Sequence, residues 1–206
     1  MSVNFKYMQK LKPQNFDKKY FSSGGYDEYE TDVSSWISSM AKLIKKHLGG
    51  VSKPRIFDAG CAHGYLIAKL QNKYSADVYG LEYSDFAIRR ADKTVAGKIK
   101  RGSILTAAFP KNGFDAVICL DVFPYFTNEE VELAAKQLST WTNKFIFFSS
   151  IYKHSRHASQ KLNPDNLRKT TLSQKEYIDI FRAAGVKCIG KRNIGNGGDV
   201  LIFKKQ

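Results

Sequence analysis

The stretch Arg55-Ile56-Phe57-Asp58-Ala59-Gly60-Cys61-Ala62-His63-Gly64-Tyr65, followed by Asp77-Val78-Tyr79-Gly80-Leu81-Glu82, decides how this chain folds. Arg55 to Asp58 reads as a strand, and Tyr65 to Tyr74 reads as a helix that turns Leu66, Ile67 and Leu70 inward. Asp77 to Glu82 reads as the second strand. A strand, a glycine-containing turn, a helix and a strand make a βαβ unit, with parallel strands and a right-handed crossover. The glycines in the turn let the backbone approach a ligand closely, at the point where a helix N-terminus favours negative charge.

Working outward, the same alternation continues. Ser84 caps a further helix with Ala87, Ile88, Ala91 and Val95 on one face. Lys98 to Gly102 is a weaker third strand and Phe114 to Leu120 a strong fourth. A helix opened by the capping pair Thr127/Glu130 buries Val131, Ala134, Ala135 and Leu138. Phe145 to Phe148 is a fifth strand, apolar throughout and so buried on both faces. The last helix starts with Ser173/Glu176, buries Tyr177, Ile178 and Phe181, and stops at Gly185. Val186 to Arg192 and Asp199 to Phe203 close the chain as two strands around Gly195-Asn196-Gly197-Gly198, a hairpin signal. Upstream, Val33, Trp36, Ile37, Met40, Ala41, Ile44 and Leu48 form one helical stripe from Asp32, ended by Gly49-Gly50. The fold class is α/β, doubly wound, in a single domain over residues 1–206. Two segments stand outside it: an aromatic and basic N-terminal arm, residues 1–30, and an irregular substrate-side loop, residues 150–172.

The spacing of Asp58, Gly60 and Gly64 resembles the first motif of class I S-adenosylmethionine-dependent methyltransferases, an acid followed by three alternate glycines. Ala62 stands where that pattern has its middle glycine. A dinucleotide fingerprint needs glycine at Ala62 and a small residue at Tyr65, so Tyr65 speaks against NAD. Glu82 ends the second strand 18 residues beyond Gly64, where a carboxylate accepts hydrogen bonds from ribose hydroxyls. The resemblance implies a seven-stranded, mostly parallel sheet of order 3-2-1-4-5-7-6 with the last strand antiparallel and helices on both faces. It further implies transfer of a methyl group from S-adenosylmethionine, with S-adenosylhomocysteine as product.

The expected cofactor residues are Asp58, Ala59, Gly60, Cys61, Gly64, Tyr65, Glu82, Tyr83, Ser103, Ile104, Asp121, Val122 and Phe123. Among them, the amides of Gly60 and Cys61 are expected at the amino-acid end of the cofactor, Asp58 at its ammonium and Glu82 at its ribose. Tyr83 and Ile104 are expected to sandwich adenine, because an apolar slot suits a purine face. Asp121, Val122 and Phe123 end the fourth strand, where open α/β sheets bind ligands. Methyl transfer rests on alignment and desolvation, and a base is needed only where the acceptor must lose a proton. Tyr26, His63 and His154 are the candidate catalytic residues, with His157 a further histidine in the loop. Tyr20 to Tyr29 resembles an aromatic leader that folds over the cofactor, with Gly24-Gly25 as its hinge. Asp121-Val122-Phe123-Pro124-Tyr125-Phe126 departs from the Asp/Asn-Pro-Pro-Tyr signature of enzymes acting on exocyclic or amide nitrogen, since one residue too many separates Asp121 from Pro124.

The composition sets the remaining bounds. The chain has 206 residues, 33 Lys and Arg against 19 Asp and Glu, and a formal net charge of +14. That field attracts anions: a metabolite, a nucleic acid or a lipid surface. Lysine dominates, 25 against 8 arginines, whereas bidentate recognition of phosphate and bases favours arginine. A small, anionic acceptor is therefore the expectation. RNA, gripped by Arg89, Arg90, Lys93, Lys98, Lys100 and Arg101, is the alternative, and a catalytically silent cofactor-binding scaffold a third. No apolar run of membrane length is present, and three scattered cysteines (Cys61, Cys119, Cys188) suit neither a disulfide framework nor a four-ligand zinc site. No metal, no membrane and a cytoplasmic location are expected.

Overall fold

The computed structural model describes residues 11–22, 29–155, 165–195 and 198–206. Tyr26, the Gly24-Gly25 pair and His157 lie outside the described residues, as do parts of the arm, the 150–172 loop and the hairpin turn.

A short helix α1 (Lys18–Phe21) and a long α2 (Tyr29–His47) precede the sheet. Then follow β1 (Arg55–Ala59), α3 (Tyr65–Tyr74), β2 (Asp77–Glu82), α4 (Asp85–Arg89) and β3 (Ile99–Arg101). The chain continues through β4 (Phe114–Leu120), α5 (Asn128–Trp141), β5 (Thr142–Ser149), α6 (Gln174–Ala183), β6 (Val186–Asn193) and β7 (Asp199–Lys205). The seven strands form one sheet in the order β3-β2-β1-β4-β5-β7-β6. Strands β1 to β5 pair in parallel, while β7 runs antiparallel to both β5 and β6. Topology and order match the expectation from the sequence.

Alternation along the strands divides the core between the two faces. Ile56, Val78 and Ile118 pack with Met40 and Ile44 of α2, with Leu48 just beyond it, and with Leu66, Ile67 and Leu70 of α3. Their neighbours Phe57, Val117 and Phe148 point the other way, toward Leu138 and Trp141 of α5 and Tyr177 and Phe181 of α6. Each of these large buried side chains contributes on the order of 2 kcal/mol by leaving water. Both capping boxes form as read: Thr127 with Glu130, and Ser173 with Glu176.

Two elements differ from the sequence reading. The helix after Ser84 stops at Arg89, because Asp92 is taken into a turn. Its carboxylate accepts from the Thr94 amide at 2.8 Å and from the Thr94 hydroxyl at 2.6 Å, and its own amide donates to His63 O at 2.8 Å. Strand β5 is longer than its apolar run: it starts at Thr142, directly after α5, and the Thr142 hydroxyl donates to Phe145 O.

The fold positions its site through the β1–α3 turn. Gly60 has φ +89° and Gly64 φ +76°. Ala62 holds the same left-handed conformation at φ 49°, which a residue with a Cβ adopts at a cost of about 1–2 kcal/mol. That conformation is the physical reason the middle position of the motif is ordinarily glycine. A Cβ on Gly60 would stand 2.2 Å from Val122 Cγ2, so the turn lies directly against the end of β4. Gly60→Ala is therefore expected to destabilise the fold by about 3 kcal/mol, backbone strain and overpacking together. Gly50→Ala, at φ +81° with open space around it, should cost only the strain, about 1 kcal/mol. Urea denaturation of both variants checks the difference.

Candidate functional site

The carboxyl ends of β1, β2 and β4 surround the point where strand order reverses, and the site lies there. Its centre is the end of β2. Gly60 N donates to Leu81 O at 2.7 Å and Cys61 N to the same oxygen at 3.2 Å. Ala62 N donates to Glu82 Oε2 at 2.8 Å. Glu82 Oε1 accepts from Tyr83 N at 2.8 Å and Ser84 N at 2.7 Å. The Gly60 and Cys61 amides are therefore spent inside the protein, a correction to the expectation that they face the cofactor. The turn wraps onto β2 and presents its bare glycine surface instead.

Glu82 is 8% exposed and Asp58 5%. Burial raises the Glu82 carboxyl, and its three backbone hydrogen bonds offset only part of the rise. Asp58 has no such help: its carboxylate makes no hydrogen bond or ion pair with the described residues. Burial first, and the Glu82 charge second, push it up to about 8. A buried carboxylate in that condition suits a cation placed beside it.

These groups open onto a cavity of about 1330 Å³. Of the residues expected at the cofactor, Asp58, Gly60, Cys61, Glu82, Tyr83, Ser103, Ile104, Asp121 and Val122 line it. Ala59, Gly64, Tyr65 and Phe123 do not. Ala59 is fully buried in the sheet. Gly64 is a packing position, where a Cβ would meet Ile99 Cδ1 at 2.8 Å and Val95 Cγ2 at 3.0 Å. Phe123 is fully buried among Phe148, Phe181 and Tyr177, because the turn after β4 rolls it into the core. Ala62, not singled out beforehand, lines the cavity.

The histidines separate. His63 is buried outside the cavity wall, its ring stacked on Tyr65 at 5.6 Å and edge-on to Phe21 at 5.2 Å. His63 therefore does not line the cavity and packs against the arm through Phe21. His154 lines the cavity. Asp121, at φ 56°, ends β4 with its amide donating to Ser149 O and its Oδ1 accepting from Ser149 Oγ, both at 3.0 Å.

The arm closes one side of the cavity. Ser84 Oγ donates to Phe16 O at 2.5 Å and Tyr83 Oη to Leu11 O at 3.2 Å. Phe16 meets Tyr20, Tyr83 and Tyr125 edge-on at centroid distances of 5.1–6.3 Å. On the far wall stand Lys153, His154, Asp165, Arg168 and Lys169. Tyr125 Oη donates to Asp165 Oδ2 at 2.8 Å, and the Tyr20 and Tyr125 hydroxyls are 2.6 Å apart. Nothing in the sequence joins these residues, with the two tyrosines 105 positions apart.

Among the described residues, no group of three or more His, Cys, Asp and Glu side chains could hold a metal ion, and no helix is long and apolar enough to cross a membrane. Residues 56–144 match a family described as a methyltransferase domain. Over 199 residues the chain is 22% identical to a phosphoethanolamine N-methyltransferase of Plasmodium falciparum (isolate 3D7), covering 91% of this chain and 69% of that protein. Similar solved structures include magnesium protoporphyrin IX methyltransferase of Synechocystis PCC 6803 with S-adenosylmethionine bound. It has a TM-score of 0.70 and 16% identity, covering 97% of this chain and 100% of the other. An amino pentose methyltransferase of Micromonospora echinaspora, also with S-adenosylmethionine bound, aligns with a TM-score of 0.71 and 16% identity, covering 87% and 95%.

The state of Asp58 gives a stability prediction. Its folded pKa of about 8 lies above an unfolded value of about 4, so the folded protein keeps a proton that the unfolded chain gives up. Stability falls as pH rises from about 4 to about 8 and levels off above that. Asp58→Asn is expected to remove this fall and to melt several degrees higher than the parent at pH 8.5, while the two differ little at pH 4.5. Calorimetric Tm values across that range check it.

Proposed function

We propose that the chain is a class I S-adenosylmethionine-dependent methyltransferase, that the carboxylates of Asp58 and Glu82 hold its cofactor at the β2 end of the cavity and that a small-molecule acceptor occupies the far wall. The observation that carries this reading is the buried Asp58 carboxylate, without a hydrogen bond or ion pair among the described residues and turned to a cavity, beside a Glu82 carboxylate already anchored by the turn. Bound there, S-adenosylmethionine supplies a methyl group on a positively charged sulfur. Asp58 takes the ammonium of its amino-acid end, with its own charged form favoured by that contact. Each Glu82 oxygen can accept two hydrogen bonds, so Oε2, which holds one amide, has room for a ribose hydroxyl. Tyr83 and Ile104 offer apolar faces to the adenine ring, and Ser103, whose Oγ accepts from Leu105 N, shapes the turn at its edge.

The protein's part in the reaction is alignment and exclusion of water. Phe16, Tyr20 and Phe21 of the arm cover the cavity, and the Ser84 and Tyr83 contacts fix that cover to the residues next to Glu82. We read the arm as a lid and the 150–172 loop as the acceptor side. Arg168, Lys169, Lys153 and His154 in that wall suit an acceptor that carries negative charge. The similarity to enzymes named for phosphoethanolamine and for an amino pentose supports a small acceptor rather than a polymer.

RNA remains the second reading, on a specific observation. Arg89, Arg90, Lys93, Lys98, Lys100 and Arg101 are all exposed from the end of α4 through the connection into β3, at the edge of the sheet. Two of them already face acids: Arg101 with Asp85 at 2.6 Å and Lys98 with Asp77 at 3.8 Å. Incubation with methyl-labelled S-adenosylmethionine and a fractionated cell extract separates the readings. Label is expected in the small-molecule fraction, with a rate that changes little when salt is raised. Label in RNA, with a rate that falls steeply with salt through counterion release, would overturn the small-acceptor reading.

A further inference from the structure

Tyr20, Tyr125, Asp165 and Arg168 come from three separate parts of the chain and meet in the acceptor wall of one cavity. The hydrogen bonds among them run in one direction. A carboxylate only accepts, so Tyr125 Oη spends its proton on Asp165 Oδ2 at 2.8 Å. The 2.6 Å bond between the two phenols is then donated by Tyr20, whose hydroxyl oxygen has the lone pairs to accept. Asp165 is itself held: its Oδ1 accepts from Leu167 N at 3.0 Å, and Arg168 Nε lies 3.6 Å from Oδ2. The Arg168 side chain is only 3% exposed, so its charge stands beside the carboxylate with little water to screen it. The backbone fixes the frame, with the amides of Lys169 and Thr170 donating to Pro124 O at 2.7 and 3.1 Å.

We propose that Tyr20, Tyr125 and Asp165 form a proton relay for a hydroxyl acceptor, Tyr20 receiving the proton and Asp165 storing it. The proposal rests on the methyltransferase reading and names the acceptor atom that reading leaves open. The chemistry of the possible acceptors selects oxygen. An amine acceptor is an ammonium at neutral pH and gives up its proton to solvent before the attack, so none has to leave as the bond forms, and a carboxylate acceptor carries no proton to lose. An alcohol or phenol must lose its proton as the new bond forms, and that proton becomes strongly acidic as it does so. As the acceptor oxygen takes the methyl carbon, the sulfur keeps the electron pair of the broken carbon–sulfur bond. The hydroxyl proton passes to Tyr20 Oη, the Tyr20 proton to Tyr125 Oη, and the Tyr125 proton to Asp165 Oδ2. The products are a methyl ether, a neutral thioether and a protonated Asp165, and solvent later restores the carboxylate.

Tyr20 is the catalytic residue of the three; Tyr125 and Asp165 act through it. The test uses the full-length protein, S-adenosylmethionine labelled with carbon-13 in its methyl group, and the small-molecule fraction of a cell extract as acceptor pool. Carbon-13 spectra of the product are expected to show an O-methyl group. Tyr125→Phe and Asp165→Asn should each lower turnover about 100-fold while leaving S-adenosylmethionine affinity within twofold, and Asp165→Glu should restore part of the rate. Independently of turnover, the cofactor-free protein should show a downfield hydroxyl proton resonance that Tyr125→Phe abolishes. An N-methyl product, or full turnover in Asp165→Asn, overturns the relay and leaves the methyltransferase reading standing. Cofactor binding without any labelled product removes the relay, whereas absence of binding removes the methyltransferase reading itself.

Discussion

The end of β2 is the constraint on which the rest of the site depends. Leu81 O takes the amides of Gly60 and Cys61, and the Glu82 carboxylate takes those of Ala62, Tyr83 and Ser84. Five backbone donors thus converge on two consecutive residues of one strand. A charged acceptor strengthens such bonds, roughly doubling a neutral one, and burial makes their loss costly. The β1–α3 turn therefore has one conformation, and it holds Ala62 in a left-handed backbone region that glycine would occupy more cheaply. The same residues continue into the arm through Tyr83 and Ser84. The turn and the arm share one anchor.

This arrangement gives the two acids different jobs. Glu82 is raised by burial, and three amides offset part of that rise. Asp58, two residues before Gly60, has burial and a like charge but no donors, and so is raised to about 8. In the proposed reading a ligand ammonium supplies what the protein withholds. Differential environment of paired carboxylates is a recurrent way to divide roles in a site, and here it divides structure from binding.

Much of this was legible in the sequence. The apolar periods placed all seven strands, and the glycine turn with Glu82 placed the site at the reversal of strand order. The misses are equally physical. Phe123 follows Asp121 and Val122 in sequence, but the short turn after β4 rotates it into the core, a rotation that no periodicity signals. His63 was suspected on chemistry, and packing against Phe21 and Tyr65 takes it away from the cavity. The Gly60 and Cys61 amides read as ligand donors because glycine turns often serve so; the carbonyl they bond belongs to another strand. Tyr20 and Tyr125 join only through the fold, since the contact depends on where the arm crosses the end of β4.

The central claim is that Asp58 waits in its protonated form for a cation. Calorimetric titration with S-adenosylhomocysteine at pH 7, in two buffers of different ionisation enthalpy, counts the protons released on binding. The account predicts about one proton released by the parent protein, none by Asp58→Asn, and no binding of NAD by either. Binding with the same proton count in both proteins would contradict it.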